Sequence, residues 1–178
     1  LNPIFVIEKI VVIMNSNAMN TQSPENQPLV SEKTTQLLKL ILFTLGDLHL
    51  ALPIESVYKI LNRSPVYGSG MNQVGVTHSG EEEITVIDLY QRFFKESLPD
   101  TANRGYLVTM QNKIGELYGI PVTDAPILMD VPLSAIRLLP ESYRRSDTVN
   151  IARHVAVIPQ ESGTKTIFLL DVDLLLPS

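Results

Sequence analysis

From Leu37 onward, apolar residues come in short runs separated by turn-forming residues. "LLKLILFTL" (37–45) reads as a buried strand and Gly46-Asp47 as a turn. "LHLALP" (48–53) is a second strand with Leu48, Leu50 and Leu52 on one face, because successive strand side chains point to opposite sides. After Pro53 the spacing changes: Ile54, Val57, Tyr58 and Leu61 fall at i, i+3, i+4 and i+7. That predicts a short helix over 54–61, with Glu55 and Lys59 on its exposed side. Strand patterns then return in "VGVTH" (74–78), "EITVID" (83–88), "GYLVTM" (105–110), "ELYGIPVTDA" (116–125), "HVAVIP" (154–159) and "TIFLLD" (166–171). Short strands at turn-punctuated intervals point to small barrels or a sandwich, since closure removes the unpaired edges such strands would expose.

The second half echoes the first. "GDLHLALPIESV" (46–57) can be laid over "GELYGI-PVTDA" (115–125) with one gap, and "ITVIDL" (84–89) over "IFLLDV" (167–172). Two matched pairs in the same order suggest an internal duplication. Asp88 and Asp171 each close a strand and precede a short apolar segment, where a carboxylate can accept hydrogen bonds from unpaired backbone N–H groups.

Residues 1–36 follow different rules. "LNPIFVIEKIVVIM" is apolar but carries Glu8 and Lys9 mid-run and falls short of the ~20 residues a spanning helix needs. The polar stretch from Asn15 to Thr35 has almost no apolar periodicity. The segment is expected to be a flexible tail, or an upstream extension that the working protein lacks.

Composition narrows the function classes. The chain has 178 residues, 44% hydrophobic and 19% charged, enough for one domain or two small lobes sharing a core. It contains no cysteine, which removes disulfides and thiolate chemistry and suits a reducing cytoplasm. A net charge of −5 with no basic block beyond Arg144-Arg145 argues against nucleic acid and against anionic membrane surfaces.

The strongest candidate for chemistry is "GVTHSGEEEITVIDL" (75–89), where His78 precedes Glu81, Glu82 and Glu83. These residue types can bind a hard cation. Consecutive strand residues diverge, however, so three adjacent glutamates cannot converge from a regular strand, and a solvated hairpin tip is the expected reading. His78, Ser79 and Asp88 do not form a hydrolase triad: His78 and Ser79 are neighbours pointing apart, and the chain has no G-x-S-x-G elbow. His49 and His154 have no spaced ligand partner and read as surface or edge histidines. "GSGMNQVG" (68–75) lacks the Lys-Ser/Thr of a phosphate loop. No catalytic, cofactor-binding or metal-ligating set emerges, which leaves a protein-binding module.

In this order and spacing, the ordered residues resemble the CheW-like domain of chemotaxis coupling proteins, across residues 37–176. The resemblance rests on "LILFTLGDLHLALPIESVYKIL" (40–61), "VGVTHSGEEEITVIDLYQRF" (74–93), "YLVTM", "YGIPVTDAPILMDVP" and the closing "TIFLLDVDLLL". It implies a mainly β fold of two small five-stranded SH3-like barrels packed together, with short helices. The domain would span 37–178, in lobes of roughly 37–97 and 104–178 that can exchange strands. Gly75, Val76, Val86, Ile87, Asp88 and Leu89 match the family's central signature and, with Asp171, are expected to be structural.

The family's activity is to bridge chemoreceptor tips and the regulatory domain of a CheA-like histidine kinase, without catalysis, cofactor or membrane insertion. At the tip this chain departs from the pattern. Where the family usually has Asn-x-Arg-Gly, the ungapped register gives His78, Ser79, Gly80 and Glu81, so the arginine is replaced by Gly80 and an acidic run follows. The expected partner surface is therefore His78, Ser79, Gly80, Glu81, Glu82 and Glu83, with Glu55 and Lys59. The expected partners are the kinase regulatory domain and a methyl-accepting receptor. A decoy or assembly protein that binds kinase without coupling receptor is the alternative, and a metal-dependent hydrolase a remote one.

Overall fold

The computed structural model describes residues 36–68, 74–96, 104–141, 150–161 and 163–175. The expected tail up to Thr35, the Arg144-Arg145 pair and the centre of the glycine-bearing stretch 68–75 lie outside the described residues.

The chain is mainly β. Its strands are β1 (Leu37–Leu45), β2 (Leu48–Pro53), β3 (Lys59–Asn62), β4 (Val74–Ser79), β5 (Glu82–Ile87), β6 (Tyr106–Gln111), β7 (Leu117–Val122), β8 (Ile127–Pro132), β9 (Ile136–Leu138), β10 (Ala152–Gln160) and β11 (Gly163–Leu170). Two short helices follow the β4–β5 and β10–β11 hairpins, α1 (Leu89–Phe94) and α2 (Val172–Leu175).

The helix predicted over 54–61 does not form. Ile54–Ser56 make one 3-10 turn after Pro53, and Lys59–Asn62 become β3. Apolar spacing of i, i+3, i+4, i+7 suits a helix, but pairing with β6 from Lys59↔Thr109 to Asn62↔Tyr106 supplies the backbone partners that decide the matter. The buried Thr109 hydroxyl reinforces the pairing: it accepts from Lys59 N–H (3.0 Å) and donates to Lys59 C=O (2.8 Å).

The strands form two sheets of SH3-like barrel type, ordered β8-β1-β2-β11-β10-β9 and β3-β6-β7-β5-β4. Each sheet holds one parallel contact, β2 with β11 (Leu50↔Phe168, Ala51↔Leu169) and β7 with β5 (Tyr118↔Thr85, Gly119↔Val86). Both sheets curl closed by the same device, a single stretch of chain that touches both ends. In the first sheet, Pro132 and the 3-10 turn Leu133–Ala135 break one stretch into β8, beside β1, and β9, beside β10, which raises the strand count to six. In the second, the chain leaving β3 reaches Tyr67, whose N–H and C=O both bond to Val76 of β4 at 2.8 Å.

Among the described residues, alternation along the strands builds three cores. Leu38, Leu40, Leu42, Ala51, Ile167 and Leu169 fill the first barrel, and Ile84, Val86, Leu107 and Leu117 fill the second. The opposite faces of the same strands, with Phe43, Leu50, Leu52, Val108, Met110 and Ile120, meet between the sheets, and Leu89 and Leu175 of the helices seal that layer. Burying both faces of the central strands is what lets a chain of this size hold two barrels together.

Candidate partner-binding site

β4 and β5 pair from Val74↔Ile87 to Ser79↔Glu82, so Gly80 and Glu81 form a two-residue turn. Gly80 has φ +64°, the left-handed conformation that a primed hairpin turn demands at its first central position. No atom lies within 4 Å of where its β-carbon would be, so this position is open to solvent.

The turn fixes the parity of the strand that follows. Glu82, Ile84 and Val86 share the face that fills the second barrel, while Glu83, Thr85 and Ile87 take the other. The three glutamates therefore separate, as strand geometry predicts. Glu81 is exposed at the tip, and Glu83 lies 3.7 Å from His78 Nε2 across the hairpin. Glu82 turns over the barrel mouth, where Lys59 Nζ (3.1 Å) donates to its Oε2 and Tyr58 Oη (3.0 Å) to its Oε1. Lys59 Nζ also sits 4.6 Å from the centre of the Tyr58 ring, within cation–π range. Among the described residues no group of three or more His, Asp or Glu side chains is arranged to hold a metal ion.

This contact shifts both charged partners. The Lys59 ammonium, chiefly through its hydrogen bond to Glu82 and then that to Tyr58, titrates above the ordinary lysine range. Hydrogen bonds donated to it by Lys59, and then by Tyr58, hold Glu82 below the ordinary carboxylate range. Two expected partner residues, Lys59 and Glu82, are thus joined to each other. Glu55, exposed on the 3-10 turn, is not part of the cluster.

Beside the tip a cleft of about 450 Å³ opens between β5 and the β6–β7 turn, lined by Glu82, Glu83, Thr85, Gln111, Glu116 and Tyr118. Glu116 accepts from Asn112 Nδ2 (2.8 Å) and from Tyr118 Oη (3.0 Å). Burial, and secondarily the bond to Glu116, push the Tyr118 phenol above its usual range. The cleft lining carries three carboxylates, Glu82, Glu83 and Glu116, of which Glu82 is paired with Lys59.

Gly75 pairs with Val86, and Val66 packs against it too closely for a β-carbon; Val76 carries the bridge to Tyr67. Val86, Ile87 and Leu89 are buried. Asp88 caps α1, its Oδ1 accepting from Gln91 N–H at 2.9 Å. Asp171 does the same ahead of α2, its Oδ1 accepting from Asp173 N–H at 3.0 Å. It also makes an ion pair with Arg153 that no sequence motif announces. His49 lies on β2, between β1 and β11, so it is a half-buried mid-sheet residue rather than an edge one; His154 on β10, between β9 and β11, is likewise half-buried.

Two curled sheets packed together, with an acidic hairpin at one end of the second, define a double-barrel β module. The sequence matches the CheW-like domain over residues 39–178, and the chain belongs to that family. Among solved structures it is similar to the scaffolding protein TtCheW from Thermoanaerobacter tengcongensis, with a TM-score of 0.64 and 15% identity, covering 88% of this chain and 95% of that one. The search of curated proteins returned no match. Among the described residues no helix is long and apolar enough to cross a membrane.

Proposed function

We propose that this chain is a non-catalytic adaptor of a chemotaxis-type signalling array, working in the cytoplasm and linking a receptor to a CheA-like histidine kinase through protein contacts. Membership of the CheW-like family over residues 39–178 carries this reading. The tip supports a binding surface that includes His78, Ser79, Gly80, Glu81 and Glu83 and selects a partner with a basic face. Retention of the chain on the kinase regulatory domain from the same cell, and its loss when Glu81 and Glu83 are reversed to lysine, would support it; no retention counts against it. A hydrolase reading gains nothing from the side chains here, since the three glutamates diverge.

One observation favours a second reading. Gly80 and the acidic residues after it stand where the resemblance leads one to expect an arginine, and the field there is reversed in sign. A decoy or assembly protein would bind the kinase yet fail to form a ternary complex with receptor. Size-exclusion of the three-component mixture separates the two readings.

A further inference from the structure

We propose that Lys59 and Tyr58 are positioning residues that clamp the hairpin tip, and that Glu81 and Glu83 carry the charge a partner reads. The proposal deepens the adaptor reading and rests on it for the word "partner"; the clamp itself does not.

Tyr58 and Lys59 lie at the start of β3, at one end of the second sheet, while Glu82 belongs to β5, with β6 and β7 between. Their contact therefore crosses the barrel mouth rather than joining neighbouring strands. Its base is firm: Tyr58 N–H donates to Thr109 C=O at 2.7 Å, and the Thr109 hydroxyl, fully buried, bonds both the N–H and the C=O of Lys59. Its direction follows from parity. Lys59 continues the face of Leu61, and Glu82 the face of Ile84 and Val86, all of which line the barrel interior. Both oxygens of the Glu82 carboxylate are engaged, one by each donor, and the cation also rests on the donor's ring. Engaged with each other, these groups hold one another across the barrel mouth. Glu81 and Glu83 stay exposed, Glu83 lying 3.7 Å from His78 Nε2 across the hairpin.

A clamp of this kind holds β5 to β3 and so limits how far the two-residue turn can swing. Partners would then meet an ordered tip and lose less entropy on binding. Amide hydrogen exchange of residues 79–83 in the isolated chain tests the clamp directly. Lys59→Met and Glu82→Gln should each raise exchange there by about three-fold, the size expected when one exposed ion pair is lost. The exchanged pair, Lys59→Glu with Glu82→Lys, should restore it, and affinity for the kinase regulatory domain should fall and recover in parallel. Unchanged exchange in both single variants overturns the clamp. Ordered tip amides in the exchanged pair with affinity still lost would make Lys59 a contact residue and overturn its positioning role. Because exchange is read without partner, absence of kinase binding by the wild-type chain would overturn the adaptor reading and leave the clamp result standing.

Discussion

Arg153, on β10, places its Nε 2.6 Å from a carboxylate oxygen of Asp171, a residue only 1% exposed at the end of β11. Asp171 is at once a helix cap and a buried charge, and Arg153, one-third exposed, brings the compensating charge in from the water side. Removing one partner of such a pair strands the other in a poor solvent. Arg153→Met is expected to lower stability by about 2–3 kcal/mol in urea unfolding. Asp171→Asn, which keeps the capping oxygen, should cost less than Asp171→Leu.

The parallel contacts put Ala51 and Gly119 in corresponding places in the two sheets, opposite Leu169 and Val86. The second barrel has no room for the methyl group that the first one holds: a β-carbon on Gly119 would come within 2.8 Å of Leu107. Gly119→Ala is expected to destabilise by about 1–3 kcal/mol through overpacking. Ala51→Gly should cost about 1 kcal/mol for the opposite reason, lost packing and added chain freedom. Thermal unfolding of both variants checks the contrast.

Asp88 is the simpler of the two caps, with Gln91 N–H as its partner at 2.9 Å. Asp88→Ala should cost about 1 kcal/mol, and Asp88→Asn or Ser far less. Because Leu89 is buried between the sheets, fraying of α1 should also show as faster exchange in the layer it seals.

The clamp has a definite pH window. Glu82 is held below the ordinary carboxylate range, so its stabilising contribution is present above the unfolded glutamate pKa and is lost as pH falls through the lowered folded value. Lys59 is raised, so its contribution is present below the ordinary lysine pKa and is lost as pH climbs through the raised one. NMR titration of the Glu82 carboxyl should give a midpoint below that of an ordinary glutamate, moving upward in Lys59→Met.

Most of this fold is legible in the sequence because alternation is a local signal. β1 with β2, β4 with β5 and β10 with β11 are hairpins whose apolar faces declare themselves within a few residues. β3 and β8 are different. Each is a strand because of a partner far along the chain, as Lys59 bonds to Thr109 fifty residues on and Lys39 to Asp130 ninety-one residues on. Before those partners meet, the run from Ile54 to Leu61 satisfies helical spacing just as well. The sequence match of 46–57 with 115–125 places its gap inside the strand, whereas strand register aligns Ala51, Leu52 and Pro53 with Gly119, Ile120 and Pro121, and the length difference falls in the β1–β2 and β6–β7 turns.

At the tip, sequence parity alone separates the three glutamates. That Glu82 meets Lys59 and Tyr58 depends on β3 curling to the barrel mouth, and only the folded sheet supplies that. The Arg153–Asp171 pair is hidden for the same reason, since nothing in the local sequence of either residue points to the other.

Calorimetric titration of this chain with the regulatory domain of the CheA-like kinase from the same cell tests the adaptor role most directly. The account predicts one-to-one binding in about the micromolar range, weakened by salt and by Glu81→Lys with Glu83→Lys. Absence of binding to that domain, and to every CheW-like partner from the same cell, would contradict it.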